Sequence, residues 1–534
     1  MNEGDFPKNT EIESIITASE RKFLSKSFLN YGVEITGINE YLSAYERMYL
    51  YTAVSSAKEK VFLSYHSFSY DEKKEPCDYI NKIKNIFPSI KVLKQSSVNE
   101  FEYIETKSSA FEYMCSKWNE NTVVEETLKQ YFSNETEFSD KYHSVVLQNN
   151  NDDIKIQNSN IATKLFGETM RLSASRIEDY YNCPFKYFCK FGIGAYPLIP
   201  AEYNAMQTGL IVHYIMENIL KQFGKNGFVN SNLSELMNFT DKYLKKYIKE
   251  EMGIDENLSS KLLYDISRLK WLLMTLFKQL RVEFSQSEFI PMGFEVEVNE
   301  NADVEAPVFK TEFGSIILRG SIDRVDVFEK DGVNYIRVID YKTGSKDFEL
   351  SDIISGLNLQ MFIYLFAACN DKNYIENSLP AGVLYLPSGV SVVSSERHNE
   401  KDLEKTRQGK YKMKGMLIDD ESVLRAMESD LGDKFIPVKD KKGVLSGNIA
   451  SLEEIGRLEK KINSLIVDMG NSLCKGKISQ NPVGKYDLSH TACDFCDYLP
   501  VCSNRKVIEP RIPFESKIKF DDALELLKED NKNA

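Results

Sequence analysis

The sequence predicts a mixed α/β core with helical insertions, preceded by a separate, mainly helical region. Three observations lead there. Four runs that read as strands follow one another at 292–298, 306–312, 315–328 and 334–341. A helix through LNLQMFIYLFAAC (357–369) and a strand at AGVLYLP (381–387) come next, so strands and helices interleave rather than segregate. At 534 residues, the chain also exceeds what one hydrophobic core usually organises.

From the N-terminus, residues 11–70 read as helix, helix, strand, the strand at the apolar run Val61-Phe62-Leu63. Residues 71–165 are polar and mostly helical, and QNNNDDIKIQNSN (148–160) has the composition of a linker. At RLSASRIEDYYNCPFKYF, Ser173 or Ser175 can cap a helix beginning near Arg176, and Pro184 interrupts the segment beyond it. A long helical region spans 205–285, and everything after the strand at 381–387 reads as largely helical. The expected division is 1–70, 71–165, 166–510 and a tail, 511–534.

Composition narrows the function classes. No apolar run approaches the roughly 20 residues that span a bilayer, and the start, MNEGDFPKNTEIES, is acidic and unlike a secretory signal. The expectation is a cytoplasmic protein. A net charge of −13 argues against a general nucleic-acid coat protein, but not against an enzyme that holds DNA in a local channel. No phosphate-cradling Walker A pattern is present. Of nine cysteines, Cys77, Cys115, Cys189, Cys369 and Cys474 are scattered and read as inert thiols.

The stretch VIDYKTG (338–344) puts Asp340 and Lys342 on one face of a strand end, because side chains alternate with period two. The preceding strand, RGSIDRVDVF (319–328), carries Asp323, with Asp326 read as a solvated-face residue. Gly320 is read as a place where another backbone approaches closely. Two carboxylates on neighbouring antiparallel strands can converge on Mg²⁺, a hard cation that takes a few oxygen ligands and keeps its waters. A lysine beside them can orient the attacking water and stabilise charge on a phosphate. GLIVHYIME (209–217) places Gly209, His213 and Glu217 on one helix face, and Gln360 and Tyr364 stand one turn apart in QMFIY. Glu295, in GFEVEV, is an acid on the strand before and the weaker site candidate.

The ordered set GLIVH, GSIDR, IDYKTG and QMFIY resembles the RecB-type nucleases of the PD-(D/E)xK superfamily, over about residues 170–505. That resemblance implies a restriction-endonuclease-like fold and Mg²⁺-dependent hydrolysis of DNA. It implies that His213, Asp323 and Asp340 bind metal with the Tyr341 carbonyl, and that Lys342 serves the water. Gln360 and Tyr364 would shape the site and contact the strand.

CDFCDYLPVC gives Cys493, Cys496 and Cys502 as C-x₂-C-x₅-C. Spacing alone leaves open zinc, with His490 as fourth ligand, or an iron–sulfur cluster completed by Cys183; Cys189 is a rival ligand. A cysteine before the nuclease motifs and three after them resembles AddB-type nuclease subunits, which implies a [4Fe–4S] cluster on Cys183, Cys493, Cys496 and Cys502. YKMKGMLIDDESVLRAM (411–427) fits the same family. Residues 51–57, YTAVSSA, resemble the last motif of UvrD-like helicases, with Ser56 in place of the nucleotide-contacting arginine. That departure implies a degenerate helicase end without ATPase activity. The family further implies an AddA-like motor subunit as partner, single-stranded DNA as substrate, and a role in processing double-strand breaks. A non-catalytic scaffold and a stand-alone iron–sulfur nuclease of CRISPR-adaptation type are the alternatives. The basic run KTRQGKYKMK (405–414) could contact a DNA backbone or be a solvated loop.

Overall fold

The computed structural model describes residues 2, 17–29, 31, 38–69, 72–93, 100–118, 120, 122–149, 154–198, 205–253, 258–342, 344, 347–389, 409–502 and 510–530. The chain forms two compact units, Met1–Asn149 and Asn150–Ala534.

The first unit contains helices α1 (Ala18–Leu29), α2 (Ile38–Ser55), α3 (Asp78–Ile86), α4 (Lys107–Ser116), α5 (Val123–Asn134) and α6 (Ser139–Asn149). A two-residue ladder pairs β1 (Phe68–Ser69) with β2 (Glu72–Lys73). Thr106 and Thr122 cap α4 and α5 by accepting backbone N–H groups of the first turn. Phe111, Phe132 and Phe138 pack edge-on or tilted with centroids 5.0–5.2 Å apart and centre a small core. The strand expected at Val61-Phe62-Leu63 does not form. Phe62 is 89% exposed, and the run has neither a core to cover nor a partner ladder among the described residues.

The second unit opens with α7 (Ser159–Phe166), β3 (Thr169–Leu172), α8 (Ala174–Asn182) and α9 (Pro184–Tyr187). Ser173 is the N-cap of α8, and Pro184 starts α9 at a position where a missing N–H costs nothing. Cys183 lies between the two helices in extended conformation. Three long helices follow: α10 (Ala205–Asn230), α11 (Leu233–Glu250) and α12 (Ser260–Gln286). Gly224, at φ 61°, breaks α10 near its end.

The strands are β4 (Ile290–Asn299), β5 (Val304–Glu305), β6 (Val308–Thr311), β7 (Gly314–Leu318), β8 (Gly320–Lys330) and β9 (Val333–Lys342). After α13 (Leu350–Ile354) and α14 (Gln360–Asn370) come β10 (Ser378–Pro387) and β11 (Lys414–Ile418). Then follow α15 (Glu421–Met427), β12 (Val438–Lys441), β13 (Val444–Gly447), β14 (Ile449–Ala450), α16 (Leu452–Cys474) and α17 (Phe520–Asp530).

The main sheet has the order β14-β11-β10-β9-β8-β4-β5. Strands β4, β8 and β9 are antiparallel neighbours, whereas β9 and β10 run parallel. A parallel pair needs a crossover, and α14 supplies it. Residues 361–368 of α14 are all buried, as expected of a crossover helix pressed on a sheet, and each large apolar side chain contributes about 1.5–3 kcal/mol on burial.

Two expectations change here. The single strand expected at 315–328 is two strands in different sheets: β7 lies between β3 and β6, and β8 joins the main sheet. The break falls at Arg319, whose N–H bonds Leu172 O and so holds the chain to β3 just before it crosses over. The region after 387 is not largely helical, because β11 and β14 extend the main sheet; KGMLI is too short and apolar for a surface helix and pairs with β10 instead.

Candidate metal-dependent nuclease site

The antiparallel register sets Arg324 opposite Ile339 and Val325 opposite Val338, which carries Asp323 to the position beside Asp340. Both aspartates and Lys342 therefore project from one face at the C-terminal end of β9. Asp340 is buried, and its two oxygens lie 3.0 and 2.7 Å from Lys342 Nζ. Burial and the neighbouring Asp323 push the Asp340 carboxyl up, against the pull of Lys342.

His213 reaches this strand end from α10. Its Nε2–H donates to Tyr341 O at 3.0 Å, while Nδ1 faces Asp323 Oδ2 at 3.3 Å and Glu295 Oε1 at 3.4 Å. One ligand atom from each of His213, Glu295 and Asp323 lies within 4.8 Å of the others. Burial alone would depress the imidazolium, but hydrogen bonds to Asp323 and Glu295 carry the His213 pKa up to about 10. Burial raises Glu295, yet His213 and Ser321 together hold it below the usual range.

Glu295, the weaker candidate from sequence, stands in this cluster with His213 and Asp323. Its backbone has φ 48°, a left-handed conformation that is unfavourable for a non-glycine residue in a strand. Its carboxylate also accepts from Ser321 Oγ at 2.9 Å. The signal available in sequence was only an acid on the strand preceding GSIDR.

Tyr341 is held at both backbone groups: its N–H donates to Asp323 Oδ2 at 2.9 Å and its carbonyl accepts from His213. Gln360 opens α14, where its N–H donates to Glu178 Oε1 at 3.3 Å. Tyr364, one turn on, is buried, and its hydroxyl is pushed up to about 12 by that burial with Asp323, Glu178 and Asp340 nearby. Glu178 on α8 was not singled out from sequence at all.

The close approach at Gly320 is made by a side chain, not by a backbone. A Cβ there would stand 1.9 Å from the Tyr364 hydroxyl. Gly320→Ala should therefore displace a buried ring and lower stability by about 1–3 kcal/mol. An unchanged melting temperature would contradict that contact.

Asp326 is not a solvated residue. It is fully buried on the face opposite Asp323, clasped by Arg324 through two 2.8 Å bonds and by Arg337 Nε at 2.9 Å. Arg337 also donates to Glu283 Oε1 of α12 at 2.7 Å. Alternation leads one to expect an exposed face here, but α12 covers it through the Arg337–Glu283 bond. Burial opposes the Asp326 charge, but the two guanidinium groups hold its carboxyl below the usual range.

Cys183, Cys493, Cys496 and Cys502 are all free thiols, half-buried, and lie close enough to interact electrostatically. Burial pushes the Cys183 thiol up, and nearby backbone N–H groups offset this only in part. Burial, and after it the neighbouring Cys183, Cys496 and Cys502, push the Cys189 thiol up to about 11. His490 is exposed and faces Asp494 at 3.8 Å. Of the basic run, residues 405–408 lie outside the described residues; Lys412 and Lys414 are paired with Asp433 and Asp347.

No helix among the described residues is long and apolar enough to cross a membrane. A relative from Alkaliphilus oremlandii, named as a subunit of an ATP-dependent helicase/deoxyribonuclease, is 26% identical over 560 residues, covering 100% of this chain and 48% of the relative. Proteins of the same name from Clostridium acetobutylicum and Clostridium botulinum (strain Hall) are 26% and 28% identical, each over 94% of this chain and 45% of the relative. The chain spans about half the length of the curated relatives it matches. The model of the PD-(D/E)XK nuclease superfamily matches residues 171–503, which take in every motif of the strand-end cluster; the chain belongs to that superfamily.

Proposed function

We propose that this chain is the Mg²⁺-dependent DNA exonuclease module of an AddAB-type helicase–nuclease that processes double-strand breaks in the cytoplasm. The observation that carries the reading is the convergence of His213, Glu295 and Asp323 beside the Asp340–Lys342 pair at one strand end.

The donor set fits a hard divalent cation: carboxylate oxygens, one imidazole nitrogen and the Tyr341 carbonyl nearby. His213, Asp323 and Asp340 would hold it, with Glu295 as a further carboxylate. Such an ion supplies Lewis acidity at the phosphate and lowers the pKa of water. Lys342 orients the attacking water and offsets charge on the phosphate. Tyr364 and Gln360 form the wall that positions the strand.

The four-thiol set fits a [4Fe–4S] cluster, since thiolates are the ligands such clusters require and the four cysteines are neighbours in space. Cys183, Cys493, Cys496 and Cys502 would hold it, tying α8 to the segment after α16. Closing so long a loop removes unfolded-state entropy, which makes the role structural. Residues 1–70 would be the end of a degenerate helicase domain, without ATPase activity, with an AddA-like subunit providing the motor.

The test is cleavage of end-labelled single-stranded DNA by anaerobically purified protein, with Mg²⁺ or with EDTA. Cleavage in Mg²⁺ alone is expected. No cleavage in Mg²⁺, with an AddA-like partner also present, would leave the non-catalytic scaffold as the better reading.

A further inference from the structure

Helix α12 presents a face that neither its packing nor the strand-end site uses. At about 100° per residue, Tyr264, Arg268, Trp271, Thr275, Lys278 and Val282 fall in one line. Trp271 is 41% and Tyr264 63% exposed, although large aromatics are normally buried. The opposite side of the helix, including Leu269, Leu272, Leu276 and Leu280, is fully inside the core. The face is therefore not a misplaced core stripe.

Its charge is unusual for this chain. Residues 264–282 contain four cations, Arg268, Lys270, Lys278 and Arg281, against one acid, Asp265, in a protein with 80 acidic and 67 basic residues. Lys270 and Arg281 are turned aside, to Asp241 at 2.7 Å and to Ser231 O. Arg268 and Lys278 have no carboxylate partner among the described residues, and the Arg268 guanidinium lies 5.9 Å from the Tyr264 ring centroid. Aromatic rings alternating with cations on a rigid rod are what a flexible polyanion with stacking bases requires.

We propose that this face of α12 is a single-stranded DNA platform: bases stack on Tyr264 and Trp271, and Arg268 and Lys278 contact phosphates. The proposal rests on the nuclease reading above and adds where the strand is held. The stripe runs about 27 Å at 1.5 Å per residue, room for several nucleotides. The last turn of α12 carries Glu283 to Arg337, so one rigid helix joins the platform to the strands bearing Asp323 and Asp340.

The chain has two tryptophans, which makes the test direct. In a Trp118→Phe background, Trp271 fluorescence is followed while a thymidine oligonucleotide is added in EDTA, so that binding is read without cleavage. Quenching that weakens with salt is expected, and Arg268→Glu with Lys278→Glu, or Trp271→Ala in a binding assay, should weaken affinity by about tenfold or more. If the parent cleaves DNA but these variants bind as it does and Trp271 is not quenched, the platform is wrong and the nuclease reading stands. If the parent neither binds nor cleaves DNA, both fail. Quenching by a polypeptide partner but not by the oligonucleotide would also overturn the platform, making the face a protein interface.

Discussion

Lys342→Ala is expected to lower DNA cleavage by about 10²–10³-fold, the usual loss when one preorganised charge-stabilising group is removed from a site. The side chain is partly exposed and touches Asp340 rather than the core, so folding should survive. Its removal leaves Asp340, whose carboxyl is already pushed up by burial and by Asp323, without its cation. The aspartate then favours its neutral form further, which weakens it as a metal ligand as well. The measurement is single-turnover cleavage of labelled DNA in saturating Mg²⁺, with circular dichroism to check the fold. A folded variant that cuts at the parent rate would mean that the activity arises elsewhere.

The second large effect lies on the other face of the same strands. Asp326→Ala leaves Arg324 and Arg337 buried with only Glu283 to balance them. Breaking a buried pair by removing one partner costs about 3–5 kcal/mol, a large share of the roughly 5–15 kcal/mol that holds a domain together. The pH dependence has a defined sign. Because the folded Asp326 carboxyl lies below its ordinary value, its contribution is present above the unfolded pKa of about 4. It is lost as pH falls through the depressed folded value. Urea unfolding at neutral pH should therefore show the full destabilisation, and the gap between parent and variant should narrow in acid. A neutral-pH difference under about 0.5 kcal/mol, the range of ordinary surface substitutions, would contradict the network.

How much was legible in sequence depends on how far away each residue's partners lie. Asp323, Asp340 and Lys342 could be read because strand periodicity and one hairpin pairing suffice to bring them together. His213 needed only motif order to be singled out, and the structure adds its 3.0 Å bond to the Tyr341 carbonyl. Asp326 could not be read, since its burial depends on Glu283, 43 positions earlier on α12, as the distance 2.7 Å to shared partner Arg337 makes plain. Glu295 was named only as a weaker candidate, and its positive φ is something no alternation rule anticipates. The sheet switch at Arg319 and the pairing of β11 with β10 are likewise tertiary choices, made where a short apolar run finds a partner. Val61-Phe62-Leu63 shows the converse: strand-like composition without a partner yields no strand.

Binding of a divalent cation at this strand end is tested most directly by Mn²⁺ titration followed by electron paramagnetic resonance. The parent should bind Mn²⁺ more tightly as pH rises, because the ion must displace the proton held on His213, and Asp323→Asn should lose that binding. Equal Mn²⁺ binding by parent and Asp323→Asn would contradict a metal site at this strand end.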